Sequence, residues 1–322
     1  MYPLKFKKVF KDKVWGGRKL ETILGMTLPL DESIGESWEV SSHKNGMSLV
    51  EEGEFAGKSL ETLLKEYKEE LVGQEVYEKY GDNFPLLIKY LDVNDRLSVQ
   101  VHPSDDYALR VEKEFGKSES WYIIDASSDA KLIMGLSQGI TREKFEEKVK
   151  NKDFSDLFNI VSVKKGDFIN VNPGLVHASL EGWVLICETQ QNSDTTYRIY
   201  DFDRIVDGEL RPLHLDRASE VIVYGEKPEI STEEGRENIE SEGAIIQELI
   251  RGEYFSIDKI KVEGKYQDKV HKAFTVLSIL DGAGSIVYNN KEYPFKKGDT
   301  YFIPANLLIE INGKTELLKS YI

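Results

Sequence analysis

The sequence predicts a mainly β protein built from two related β-units, with a small helical insertion in the first. Three observations carry that expectation. Period-two alternation recurs in short runs, most clearly in Leu97-Ser98-Val99-Gln100-Val101-His102-Pro103, where Val99 and Val101 share one face and Ser98, Gln100 and His102 the other. An internal echo links Lys164-Lys165-Gly166-Asp167 to Lys296-Lys297-Gly298-Asp299; the spacing downstream of each Gly is the same, except that Ile309 replaces His177. Leu60, Leu63, Leu64 and Tyr67 repeat at helical spacing.

In chain order, Val14 to Arg18 reads as a glycine turn and Gly35 to Ser41 as a strand with Trp38 as core aromatic or pocket wall. Ser59 is placed to cap the helical stretch at 58–80, with Glu61 in its first turn. Strands resume at Phe84 to Leu91, where Lys89 interrupts an apolar run; on pattern alone it snorkels to the surface. Short helices are expected after Pro103, from Thr141, and over Leu213 to Val223. Residues 226–243, rich in Glu, Ser, Lys and Gly, read as a linker. The division is therefore 1–225, a linker at 226–243, and a second β-unit over 244–322 that lacks the site of the first.

The bulk composition narrows the function. A chain of 322 residues with 40% hydrophobic and 11% aromatic residues can bury a substantial core. Its net charge of -15 argues against a nucleic-acid partner, although a local cationic cleft could still take an anionic substrate. No apolar run is long enough for a membrane span, and the N-terminus lacks a secretory apolar core. The single cysteine, Cys187, excludes an internal disulfide and reads as a small buried hydrophobe. Together these features suggest the cytoplasm, and no obligatory protein partner is evident. No glycine-rich nucleotide loop is present.

The polar face at 98–102 needs partners. Lys117-Ser118-Glu119 and the segment Gly166 to His177 supply them. Gln100, His102, Glu119 and His177 form a two-His, one-carboxylate set with an adjacent amide, which suits a borderline divalent ion, zinc first. Two ordinary half-buried histidines are the competing interpretation, and spacing alone does not choose between them. Gln190 to Asp194 is a dense amide and hydroxyl patch, either a reader of sugar hydroxyls or a turn satisfying its own backbone. His43 and His214 lack evident partners and read as structural, as does His271, which falls in the second β-unit.

The segment Gly166 to His177, with Pro173-Gly174 inside it, resembles the second motif of cupins, small β-barrels with a metal in the mouth. Asn172 stands at the usual proline position, and Gln100-Val101-His102 stands where simple cupins have His-x-His. Gln-x-His with a distant Glu is similar instead to type I mannose-6-phosphate isomerases of the compact bacterial form. Phe84 to Lys89, Leu97 to Pro103, Lys117 to Glu119 and Glu188 to Asp201 resemble consecutive segments of that family.

The resemblance implies two cupin-like jelly-roll barrels and one zinc ion held by Gln100, His102, Glu119 and His177. It implies catalytic roles for Arg198 and Lys117, and substrate contacts from Ser98, Lys89 and Trp38, which reverses the surface expectation for Lys89. The implied reaction interconverts mannose 6-phosphate and fructose 6-phosphate through an enediol(ate). Lys117, a water on the zinc or an acid such as Glu36 could each move the proton. The alternatives are another metal-dependent cupin enzyme and a non-catalytic cupin that binds a sugar phosphate.

Overall fold

A computed structural model describes residues 1–206 and 208–322, with strands as the predominant regular structure. Three sheets dominate. A seven-stranded antiparallel sheet runs in the order Glu229–Ser231, Phe168–Val171, Glu119–Ala126, Val184–Gln191, Leu86–Val93, Ile34–Val40, Val9–Gly17. A five-stranded sheet runs Tyr197–Tyr200, Val99–Val101, His177–Glu181, Lys131–Leu136, Phe158–Ser162. The third, of eight strands, is built around the long strands Ser256–Gln267, Thr275–Tyr288 and Glu310–Tyr321. The sheets are open rather than closed barrels, which refines the expected cupin-like architecture.

Strand parity explains the layering. Trp121 and Ile123, Val184 and Ile186, and Leu91 and Val93 turn one face of the seven-stranded sheet toward Leu132 and Met134 of the five-stranded sheet, forming one core. The alternate residues Tyr122, Ile124, Leu185 and Cys187 face outward into a second core shared with the helical insertion and the C-terminal unit. The outer face of the five-stranded sheet, carrying Val99, Val101 and Ala178, is covered by helices Arg142–Lys150 and Leu215–Val221.

The helical insertion lies where its periodicity placed it, as Leu60–Tyr67, Glu69–Val72 and Gln74–Tyr80. Ser59 caps it by accepting a bond from the Thr62 N–H at 3.0 Å. Thr141 caps the Arg142–Lys150 helix in the same manner. Cys187 is buried in the outward core, where burial pushes its thiol up to about 12.

The echoed turns are structurally equivalent. Gly166 and Gly298 both have positive φ, at 88° and 83°, a backbone state that favours glycine. Asp167 Oδ2 accepts from Lys164 N–H at 2.9 Å, and Asp299 Oδ2 accepts from Lys296 N–H at 3.0 Å. Gly174 N–H donates to His102 O and Asn306 N–H to His271 O, both at 2.8 Å. Ile309, at the position of His177, is buried in the apolar core of the C-terminal unit.

The structure differs from the sequence expectation in three places. Val14 to Gly17 is the end of the Val9–Gly17 strand rather than a turn. The 226–243 stretch is not simply a solvated linker: Glu229–Ser231 pairs with Phe168–Asn170 of the first unit, and Ile239–Ser241 pairs with Ala244–Ile246 of the second. Leu4–Lys5, expected in the first unit, pairs with Tyr301–Phe302 in the C-terminal sheet. In each case an open sheet edge satisfies backbone groups that local composition does not reveal.

The two units share a continuous apolar seam. Phe84 of the first lies 4.9 Å from Phe274 and 5.9 Å from Phe302 of the second, centroid to centroid. All three rings are fully buried. Phe84→Ala should cost about 3–5 kcal/mol of unfolding free energy, measured by denaturant titration; a loss below ~1 kcal/mol would mean that this seam adds little.

Candidate metal centre and substrate cavity

The site forms at the end of the first unit where the apolar core stops. Parity places Lys89 on the face of Leu91 and Val93, Glu119 on that of Trp121 and Ile123, and Glu188 on that of Ile186. From the opposing sheet, Gln100 points inward because Val99 and Val101 point outward. Register then aligns the strands: Gln100 lies opposite His177 on one side and Arg198 on the other, and Glu188 lies between Lys89 and Trp121.

His102, Glu119 and His177 converge, all buried, with ligand atoms within 4.8 Å of one another. His177 Nε2 lies 3.3 Å from Glu119 Oε1, and His102 Nε2 lies 3.5 Å from Oε2. The far ring nitrogens contact backbone carbonyls, His102 Nδ1 to Thr195 O and His177 Nδ1 to Leu175 O, both at 2.9 Å. Protons on Nδ1 satisfy those carbonyls and leave both Nε2 lone pairs facing the carboxylate, the arrangement that metal-binding imidazoles adopt.

The Gln100 amide lies 3.2 Å from His177 Nε2, and its Oε1 accepts from Ser98 Oγ at 3.2 Å. Neither buried Glu119 oxygen accepts a well-aligned hydrogen bond. Lys117 Nζ approaches Oε2 at 2.9 Å, off the hydrogen-bond direction, and lies 3.2 Å from His102 Nε2. Burial would raise the Glu119 carboxyl, but the Lys117 ammonium beside it, the largest opposing influence, holds it well below the usual range. Burial and Lys117 drive His102 well below its ordinary value. An ionised carboxylate and a neutral imidazole are the forms a metal requires, so these residues fit a divalent ion.

A cavity of about 280 Å³ adjoins this cluster. Ser98, Gln100, Lys89, Lys117 and Arg198 all line it, together with Glu36, Glu188, Asp194, Lys13 and Arg211. Trp38 does not line it. It is buried behind Lys89, whose ammonium lies 4.9 Å from the ring centroid, and its indole N–H donates to Glu36 Oε2 at 2.6 Å. The expected substrate contact from Trp38 is therefore replaced by support from behind: the ring fills the space beneath the lysine.

Lys89 is 4% exposed, because Glu188 at 3.4 Å and Glu36 at 4.0 Å compensate its charge. The structure thus puts it in the cavity, against the pattern-based surface expectation. Burial would raise the Glu36 carboxyl, but Lys89 and Lys13 hold it at about 2. Because this value lies below the ordinary 4.5, Glu36 adds stability above pH 4.5 that is lost as pH falls toward 2. The contribution is on the order of 3 kcal/mol. Lys89→Met should flatten acid unfolding across that window; an unchanged acid limb would show that the pair carries no such linkage.

Several supporting residues escaped sequence reasoning. His214 braces Arg198: its Nδ1 accepts from the Arg198 backbone N–H at 3.0 Å, and its backbone N–H donates to Arg198 O at 2.7 Å. Arg198 Nη1 donates to Pro212 O at 2.8 Å, and burial together with the neighbouring Arg211 lowers the guanidinium's proton affinity. Gln191 fixes the segment that carries Glu119 by accepting from Ser118 N–H at 2.9 Å. In the Gln190 to Asp194 patch, the Gln190 amide donates to Gln191 O and Ser193 O, so Gln190 satisfies its own turn. The run Arg211-Pro212-Leu213-His214 closely following Arg198 was the available signal for this brace.

A cupin-type β-unit carrying a buried two-His, one-carboxylate cluster beside a cation-lined cavity defines a cupin with a candidate metal centre. Comparison with known proteins specifies the family. Residues 3–122 match the catalytic domain of type I phosphomannose isomerase, and 244–322 match the mannose-6-phosphate isomerase cupin domain. The chain is 41% identical to the mannose-6-phosphate isomerase ManA of Bacillus subtilis and 36% identical to the mannose-6-phosphate isomerase of Streptococcus mutans. These alignments cover 99% of this chain, and 99% and 98% of the respective relatives. The crystal structure of the mannose 6-phosphate isomerase from Bacillus subtilis superposes with a TM-score of 0.91 at 36% identity, covering 100% of both chains. The chain belongs to the type I mannose-6-phosphate isomerase family, a family of aldose–ketose isomerases.

Proposed function

We propose that this protein interconverts mannose 6-phosphate and fructose 6-phosphate, with zinc held by Gln100, His102, Glu119 and His177. The observation that carries the reading is the convergence of two Nε2 atoms and an ionised, poorly satisfied carboxylate beside the cationic cavity. Gln100 would turn its amide oxygen to the ion, giving up the bond from Ser98 Oγ, whose hydroxyl can accept from the amide N–H instead.

When bound, the ion supplies Lewis-acid stabilisation of the oxyanion that develops as a proton moves between C2 and C1. The chain's own groups do the rest. Arg198, a permanent cation braced by His214 and Pro212, faces the sugar where negative charge develops. Lys117 is placed to hold or move a proton beside Glu119 and His102. Glu36, held at about 2, is poorly matched to proton transfer near neutral pH. Lys89 and Ser98 contact the substrate, with Trp38 supporting Lys89 from behind. Chemistry resides in the 1–225 unit, and the 244–322 unit binds no metal. The enzyme works in the cytoplasm on a small molecule, without nucleic acid, membrane or an obligatory protein partner; no helix among the described residues is long and apolar enough to cross a membrane.

Turnover of mannose 6-phosphate in deuterated water tests the chemistry. An enediol(ate) path predicts solvent deuterium at C1 of the fructose 6-phosphate formed. Quantitative retention of the original C2 hydrogen would instead indicate a hydride shift.

A further inference from the structure

We propose that Asp105 is a positioning residue of this site: one of its carboxylate oxygens holds the segment that carries Lys117 and Glu119 in register with His102. The inference rests on the isomerase reading above and deepens it. Lys117 and Glu119 reach the cluster from a stretch that regular structure does not fully secure. Residues 115–118 lie outside any helix or strand, and the strand begins only at Glu119. Yet the contacts Lys117 makes are close, 2.9 Å to Glu119 Oε2 and 3.2 Å to His102 Nε2. Its backbone must be fixed by bonds from neighbouring segments if those distances are to hold.

Neighbours on both sides supply them. Lys117 N–H donates at 3.0 Å to the carbonyl of Pro103, which follows His102 in the chain. Gln191 clasps Ser118: its Oε1 accepts from Ser118 N–H at 2.9 Å, and its backbone N–H donates to Ser118 O at 3.0 Å. Asp105 ties the two sides together. Its Oδ1 accepts from Gly116 N–H at 2.7 Å and from Gln191 Nε2 at 3.0 Å. Gly116 permits this approach, since a Cβ there would stand 2.4 Å from Asp105 N and 2.5 Å from Ser104 C. Asp105 also opens the helix Asp105–Val111, where an acid ordinarily adds only stability. What sets it apart is that Oδ1 is turned to Gly116, the residue before Lys117, and to the side chain that clasps Ser118. It acts through these groups rather than on the substrate.

Zinc affinity, measured by competition with a chromophoric chelator, and steady-state kinetics on mannose 6-phosphate test this in the wild type and in Asp105→Ala, Asp105→Asn and Asp105→Glu. For Asp105→Ala we expect kcat and zinc affinity each to fall about 10- to 100-fold, with KM within ~3-fold of wild type. Asp105→Asn keeps an acceptor oxygen for both donors and should restore both quantities to within ~3-fold of wild type. An acid that only stabilises its helix would lower the thermal midpoint and leave kcat and zinc affinity unchanged below it; that result in Asp105→Ala would overturn the assignment. So would an Asp105→Asn variant as impaired as Asp105→Ala, because the acceptor oxygen would then not be the operative feature. If Asp105→Ala fails to fold, Asp105→Glu decides. Its carboxylate is displaced by one methylene, so kcat and zinc affinity should fall together by at least ~5-fold, and wild-type values would overturn the proposal. A wild-type protein inactive on mannose 6-phosphate would instead defeat the isomerase reading, and the zinc affinities would still decide the role of Asp105.

Discussion

Replacing His177 or Glu119 with alanine is expected to abolish tight metal binding and turnover together. Both side chains are essentially inaccessible to solvent, and their ligand atoms meet at 3.3 Å. Loss of either leaves two strong ligands, too few to hold an ion with an open position for substrate. Removing Glu119 has a second effect: Lys117, which it faces at 2.9 Å, is left as a buried cation without its closest counter-charge, at a cost of about 3–5 kcal/mol. Metal content after gel filtration, measured beside activity and the thermal midpoint, separates these effects. His177→Ala should lose metal with a smaller drop in stability than Glu119→Ala. Stoichiometric zinc in the His177 variant would exclude that residue from the ligand set.

The second large effect is expected at Arg198. Its alanine variant should lose about 10²–10³-fold in kcat, the scale observed when a preorganised electrostatic donor is removed. Metal content should stay near the wild-type level, because the Arg198 guanidinium donates to Pro212 O and only the backbone of Arg198 pairs with Gln100, which the substitution leaves in place. His214→Ala should lower kcat less, by relaxing the Arg198 backbone while leaving its charge in place. Full activity in Arg198→Ala would remove the residue from the reaction.

The candidate metal cluster was only partly legible from pattern. Alternation put Ser98, Gln100 and His102 on one face, but joining Glu119 and His177 to them as one ligand set rested on the resemblance to type I mannose-6-phosphate isomerases, because spacing alone does not bring distant residues together. The echo between Lys164–Asp167 and Lys296–Asp299 was legible because a positive-φ glycine with a backbone-capping aspartate leaves a local signature. Lys89 was misread by pattern alone, since a lysine inside an apolar run looks like a snorkelling side chain. Its compensating charges, Glu36 and Glu188, come from neighbouring strands that only the register brings alongside.

Trp38 illustrates the reverse. The sequence left it open between core aromatic and pocket wall; its indole N–H donates to Glu36 and its face meets Lys89, so it stands behind the cavity as support. Residues 226–243 and Leu4–Lys5 were opaque because a short edge strand depends on a partner's free backbone groups more than on its own side chains. Arg211 and His214 acquire significance only once Arg198 is placed, since hydrogen bonds to backbone or between neighbouring strands leave little trace in composition.

The most direct test of the central claim is mannose 6-phosphate isomerisation by the purified protein, assayed as isolated, after exhaustive chelation, and after zinc is restored. The account predicts activity that disappears on chelation and returns with zinc at about one equivalent per chain. Full activity persisting in protein shown to be metal-free, or none in protein shown to carry zinc, would contradict it.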